Sequence, residues 1–238
     1  MAEGPDPHRD LTDCRLCPRL VEWRERKATT ERRASFADED YWGRPVPALG
    51  DLDAGVLVVG LAPAAHGGNR TGRMFTGDRS GQWVFRALHR AGLATSPFDE
   101  DPDLALVDTR ITAVCHCAPP DNKPLSVEVD TCTSTWLLPE MEVMSPKVVV
   151  CLGGLAWNRV LRMGVEHLGW EVPAPRPRFG HGAEVAVPGG PLVIGSYHPS
   201  QQNTFTGRLT EEMFDLVWRR AAEVSQRGGG AIPSGVIR

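Results

Sequence analysis

Four short, nearly unbroken apolar runs, separated by segments of helical periodicity, constrain this chain more than any other feature. Val56-Leu57-Val58-Val59, a run around Ile111 to Val114, Lys147 to Leu152, and Leu192 to Ser196 are each of strand length. Strands that are apolar at successive positions are covered on both faces. From Gly81, the residues Val84, Phe85, Leu88 and Ala91 recur at helical spacing, with Gly92 as terminator. Trp136, Leu137, Met141 and Met144 predict a helix that Pro139 must kink or restart. A short helix is expected over Leu155 to Met163, and a last one opens at Thr210, with Phe214, Trp218 and Ala221 on its buried face. This alternation predicts an α/β fold whose parallel sheet is covered on both sides.

With 238 residues, 41% of them apolar, the chain is long enough for one substantial core, and nothing divides it in two. A single domain over residues 1–224 is expected, followed by a glycine-rich, disordered tail from Ser225. Residues 18–48 are charged and arginine-rich, and Val21, Trp23 and Phe36 are too sparse for a core stripe, so the segment reads as an arm lying on the domain. No apolar run has the length of a membrane span, and the opening MAEGPDPHRD lacks a secretory pattern. A soluble, cytoplasmic monomer is the expectation. The formal net charge of −4 provides no general attraction to nucleic acid, so any DNA-binding face must be local.

Three loops stand out. Residues 63–81 follow the first strand and are glycine-rich, 117–124 carry prolines that forbid continued strand or helix, and 198–208 follow the last strand. Ligands in such sheets bind beyond the carboxyl ends of the strands, where all three loops can meet.

The six cysteines favour metal binding or chemistry over disulfides in an intracellular protein. Cys14-Arg-Leu-Cys17 is a CxxC pair, and Cys117 and Cys132 lie further on. A redox CxxC normally sits after a strand at a helix start, whereas this one precedes every strand signal. Four thiolates suit zinc as well as iron and sulfide, and spacing does not choose. Cys151 ends an apolar strand and reads as a buried thiol, while one of Cys115 and Cys117 is a spectator.

Taken in order, Gly60-Leu-Ala-Pro-Ala-Ala-His66, Asn69-Arg-Thr-Gly-Arg-Met-Phe-Thr-Gly-Asp78, Cys117-Ala-Pro-Pro-Asp-Asn-Lys123 and His198-Pro-Ser-Gln-Gln-Asn-Thr-Phe-Thr-Gly-Arg-Leu209 form a recognisable set. Together they resemble the family 5 uracil-DNA glycosylases, over a span from Cys14 to about Ala222. The resemblance implies a four-stranded parallel sheet sandwiched between helices. It also implies a structural 4Fe-4S cluster on Cys14, Cys17, Cys117 and Cys132 that ties down the N-terminal arm.

Such an enzyme extrudes a nucleotide and hydrolyses its glycosidic bond, so its site must hold a base, a sugar cation and a water. The resemblance implies that Phe75 stacks on the base and Asp78 orients the water or steadies the cation. His198 would donate to a base carbonyl, Asn122 would contact sugar or base edge, and backbone near Ala62 and Ala64 would line the pocket. Asp78 could instead be a helix N-cap, a role Ser80 could also fill. For DNA, Ser200 and Arg208 would bind phosphates, and Gln201, Gln202 and Asn203 would fill the space left by the nucleotide. Arg70, Arg73 and Arg79 would add local positive charge.

Two positions depart from many uracil glycosylases, which carry a polar acid or amide at Ala64 and an asparagine at Ala113. The departures imply a less discriminating pocket, accepting hypoxanthine and other deaminated bases. A β-lyase step would need a nucleophilic amine, and only Lys123 lies in a motif. The main rival is a non-catalytic iron-sulfur protein that binds nucleic acid or senses redox state. A phosphoester hydrolase is disfavoured by the missing GxxxxGK[ST] and acidic metal clusters.

Overall fold

In the computed structural model, which describes residues 6–226, the chain runs through α1 (Pro18–Thr29), β1 (Val56–Gly60), α2 (Gly68–Thr71), α3 (Arg79–Arg90) and β2 (Thr109–Ala113). Next come α4 (Ser126–Cys132), a π-turn over Thr133–Leu137, α5 (Leu138–Met144), β3 (Val148–Leu152) and α6 (Gly154–His167). The chain then forms β4 (Glu184–Ala186), β5 (Leu192–Ser196), α7 (Gln201–Phe205) and α8 (Glu211–Gln226). The sheet order is β2-β1-β3-β5-β4. The four apolar runs are its parallel strands, each fully buried, as their lack of alternation requires.

Successive side chains point to opposite faces, so each strand feeds two cores. Val56, Val58, Ile111, Val148, Val150 and Ile194 pack with Val84, Phe85 and Leu88 of α3 and Phe214 and Trp218 of α8. On the other face Leu57, Val59, Val149 and Val193 meet Met141 of α5 and Trp157, Val160 and Leu161 of α6. Both layers leave the carboxyl ends of β1, β2 and β5 open for loops.

Three expectations need correction. The sheet has five strands, because Glu184–Ala186 adds an antiparallel edge to β5; only Val185 of the three is buried. The arm is not without a core stripe: residues 18–29 form a helix that buries Leu20, Val21, Arg24 and Ala28. Pro139 restarts its helix as expected, standing in the first turn of α5 just after the π-turn. Finally, Ser225 and Gln226 belong to α8 rather than to a disordered tail. Ser225 is buried in α8, where its hydroxyl meets the Asp108 carboxylate and its carbonyl accepts from Lys147 Nζ at 2.8 Å. The rest of the expected tail, from residue 227, lies outside the described residues.

Candidate active site and cysteine cavity

The three loops meet, as their positions after strands predict. They enclose a pocket of about 370 Å³ at the carboxyl end of the sheet, lined by Ala62, Ala64, Phe75, Asp78, Asn122 and His198 among others. Ala113, at the end of β2, also faces it, as do Ser200 and Gln201.

Phe75 owes its position to its neighbours' lack of side chains. A Cβ on Gly60 would come within 2.9 Å of the Phe75 ring, and one on Gly81 within 1.8 Å of its carbonyl oxygen. Phe75 itself is held at φ 55°, a left-handed conformation uncommon for an aromatic residue. The fold thus stores strain to present this ring, whose centroid lies 6.0 Å from that of His198.

Asp78 caps a helix and still lines the pocket. It, rather than Ser80, caps α3, with Oδ1 accepting from Gly81 N at 2.9 Å. Its other oxygen lies where a Cβ on Gly67 would sit 2.6 Å away, so glycine there keeps the carboxylate open to the loop. Burial raises the Asp78 pKa above its ordinary value, against the opposing pull of the Gly81 and Ser80 backbone N–H groups.

His198 is half-buried, and burial lowers its pKa to about 4. It is therefore neutral near pH 7 and can donate a hydrogen bond without carrying charge. The turn before it is fixed by His181. Because Tyr197 N donates to His181 Nδ1 at 3.2 Å, His181 Nε2 carries the proton and donates to Met213 O at 3.1 Å. Asn122 reaches the pocket from a backbone at φ 55°, directly after Asp121 at φ 52°, a conformation that Asn and Asp tolerate best.

Among the DNA-binding candidates the structure separates roles. Asn203 is tied into its own loop: its Nδ2 donates to His198 O at 2.8 Å. Ser200 caps α7 through Asn203 N at 3.3 Å while still lining the pocket. Gln201 and Gln202 are exposed, and the exposed Arg208 lies 4.6 Å over the Tyr197 ring. Arg70 is committed to Glu39 and to the His66 and Gly77 carbonyls, so it is not a free cation. Arg73 reaches Leu104 O at 3.4 Å, whereas Arg79 stays exposed at the pocket lip. Met74, Leu61 and Pro63 complete the apolar wall; no sequence signal marked them as pocket residues.

Cys14, Cys17, Cys117 and Cys132 line one apolar cavity together with Leu11, Leu20 and Arg24. Cys151 lies outside it in the second core, as does Cys115, whose thiol hydrogen-bonds the Cys132 sulfur. Burial pushes the Cys17 thiol up to about 11 and Cys117 up to about 12, the reverse of a redox-active CxxC. Arg24 is 2% exposed, donating to Cys117 Sγ at 2.8 Å and Cys14 O at 3.1 Å, with Nε unpaired. Inside the cavity the guanidinium meets only neutral thiols, and its carboxylate partner is the half-exposed Glu25 at 3.9 Å, so the buried charge is weakly compensated. Among the described residues, no group of three or more His, Cys, Asp or Glu side chains is arranged to hold a metal ion.

The model of the uracil DNA glycosylase superfamily matches residues 47–222, which hold the sheet, all three loops and most of the covering helices. The chain belongs to this superfamily. It is 50% identical to a type-5 uracil-DNA glycosylase of Mycobacterium leprae, over 93% of this chain and 95% of the relative. It is 51% identical to one from Mycobacterium tuberculosis, over 90% and 79%, and 49% identical to one from Pyrobaculum aerophilum, over 89% of each. These relatives place it with the type-5 uracil-DNA glycosylases, the branch its motifs resemble. Among the described residues, no helix is long and apolar enough to cross a membrane.

Proposed function

We propose that this protein hydrolyses the N-glycosidic bond of uracil in DNA and leaves an abasic site. The observation that carries the reading is the convergence of Phe75, Asp78, Asn122 and His198, from three separate strand-end loops, on one pocket. An extruded base stacks on Phe75, and its carbonyl accepts a hydrogen bond from neutral His198 as negative charge develops. The ionised Asp78 faces the sugar, where it steadies oxocarbenium character and orients the attacking water. Asn122 holds the sugar or the base edge. Gln201 and Gln202 occupy space near the extruded nucleotide, while Ser200 and Arg208 engage phosphates, and the protein works as a monomer.

With alanine at 64 and 113, no side-chain amide or acid reads the base from those two walls. The pocket therefore accepts other deaminated bases, hypoxanthine among them. No lysine lines it among the described residues, so the reaction stops at the abasic site without strand cleavage.

We infer further that Cys14, Cys17, Cys117 and Cys132 hold a 4Fe-4S cluster, whose net negative thiolate shell would be matched by the buried Arg24. It would bind residues 14–17 to the loop at Cys117 and to the end of α4 at Cys132. Its contribution is architectural, since the hydrolytic residues line a different pocket.

The test is single-turnover base release from duplexes carrying one uracil, one hypoxanthine or one thymine. Release of uracil and hypoxanthine is expected; release of uracil alone would remove the broader range. DNA binding without any released base would favour the non-catalytic rival. His198→Ala is expected to slow uracil release about 100-fold and leave affinity for a product duplex within about threefold.

A further inference from the structure

We propose that the exposed face of α3 is a phosphate-binding track for the DNA strand flanking the extruded nucleotide; this rests on the glycosylase reading above. A groove of about 390 Å³ adjoins the pocket and shares Asp78 and Arg79 with it. Its wall carries Arg79, Gln82 and Arg86, spaced at i, i+3 and i+7, so all three lie on one side of the helix. All three are exposed, while Val84, Phe85 and Leu88 bury the opposite side and make the track rigid.

Arg79 and Arg86 are free for an external anion, whereas Arg90, one turn beyond Arg86, is paired with Asp215. Arg86 makes no hydrogen bond or ion pair among the described residues, and Arg79 has no carboxylate partner. Arg79 rests instead 4.2 Å over the ring of Phe205, which is 64% exposed on α7. A stacked guanidinium keeps its edges available for phosphate oxygens. Of the carboxylates on the groove, Glu39 is paired with Arg70 and Asp78 caps α3, leaving Glu100 as the one without a partner among the described residues. In a chain of net charge −4, two arginines without carboxylate partners, leading away from the pocket mouth, supply the local positive face that DNA requires. They stand two helical turns apart, about 10 Å, or roughly three nucleotide steps as measured along the duplex axis.

The experiment measures the affinity of the full chain for a duplex carrying a tetrahydrofuran abasic-site analogue, as a function of salt. Arg86→Ala is expected to raise Kd about fivefold to tenfold and reduce the salt slope by about one, and Arg86→Lys to restore the slope. Glu100→Gln should act oppositely and lower Kd by about twofold. Arg162→Ala, on the exposed side of α6, should leave both quantities at wild-type values. The proposal is overturned if Arg86→Ala keeps wild-type Kd and slope, or if Arg162→Ala produces the same loss. Uracil release by the wild type in the same preparation separates that failure from failure of the glycosylase reading, whereas a wild type that neither binds nor releases base overturns both.

Discussion

Replacing Asp78 with asparagine is expected to slow uracil release by about 100- to 1,000-fold while product-duplex affinity stays within about threefold. Asparagine is the informative substitution because it caps a helix as well as aspartate does. The bond from Gly81 N to the residue-78 side chain survives, and the amide fits the space beside Gly67. What is lost is the charge facing the sugar. Asp78→Ala removes the cap as well and should cost roughly 1 kcal/mol of stability, which thermal unfolding would separate from the kinetic effect. The pH profile gives a second check. Only the ionised carboxylate serves, and burial raises its pKa, so the wild-type rate should fall as pH drops through that raised value. His198 is already neutral above about 4 and adds no step near neutrality. The asparagine variant should lack the acid-side fall. Equal losses of rate and affinity, with the fall retained, would reduce Asp78 to a cap.

Removing one cysteine of the cavity is expected to have the largest effect on stability. In Cys17→Ser or Cys132→Ser, purified without oxygen, iron and sulfide should be lost. Arg24 then keeps only the half-exposed Glu25 carboxylate at 3.9 Å as its counter-ion, a defect of roughly 3 kcal/mol. For a chain of this size that lowers Tm by about 10 °C or more. Limited proteolysis should cut within α1, although His8, Leu11 and Leu20 keep part of the segment packed. Cys115→Ser and Cys151→Ser should retain iron. Zinc in place of iron and sulfide would keep the clamp and discard the cluster; wild-type Tm with no bound metal would discard both.

How much of this was legible depended on what each segment buries. The four parallel strands announced themselves because both their faces are covered, which leaves uninterrupted apolar runs. Glu184–Ala186 did not, since an edge strand of three residues with one buried side chain carries almost no pattern. The N-terminal helix was hidden for a chemical reason: part of its buried face is Arg24, a residue that sequence reading assigns to solvent. Pro139 marked the start of α5, but the π-turn before it leaves no sequence mark. In the site, Gly60, Gly67 and Gly81 marked an irregular loop, and the need for each appears only against Phe75 and Asp78. The bond from Asn203 to the His198 carbonyl was not legible, because it links residues whose approach the sequence does not specify. Arg79 drew notice only as local charge, and its place at the pocket lip follows from the fold.

The most direct test of the central claim is mass-spectrometric detection of free base after single turnover on a duplex with one uracil, using iron-replete protein. Free uracil in amounts equal to the enzyme, with a strand that stays intact until treated with alkali, is the expected result. An intact uracil-containing strand, from protein that binds the duplex, would contradict it.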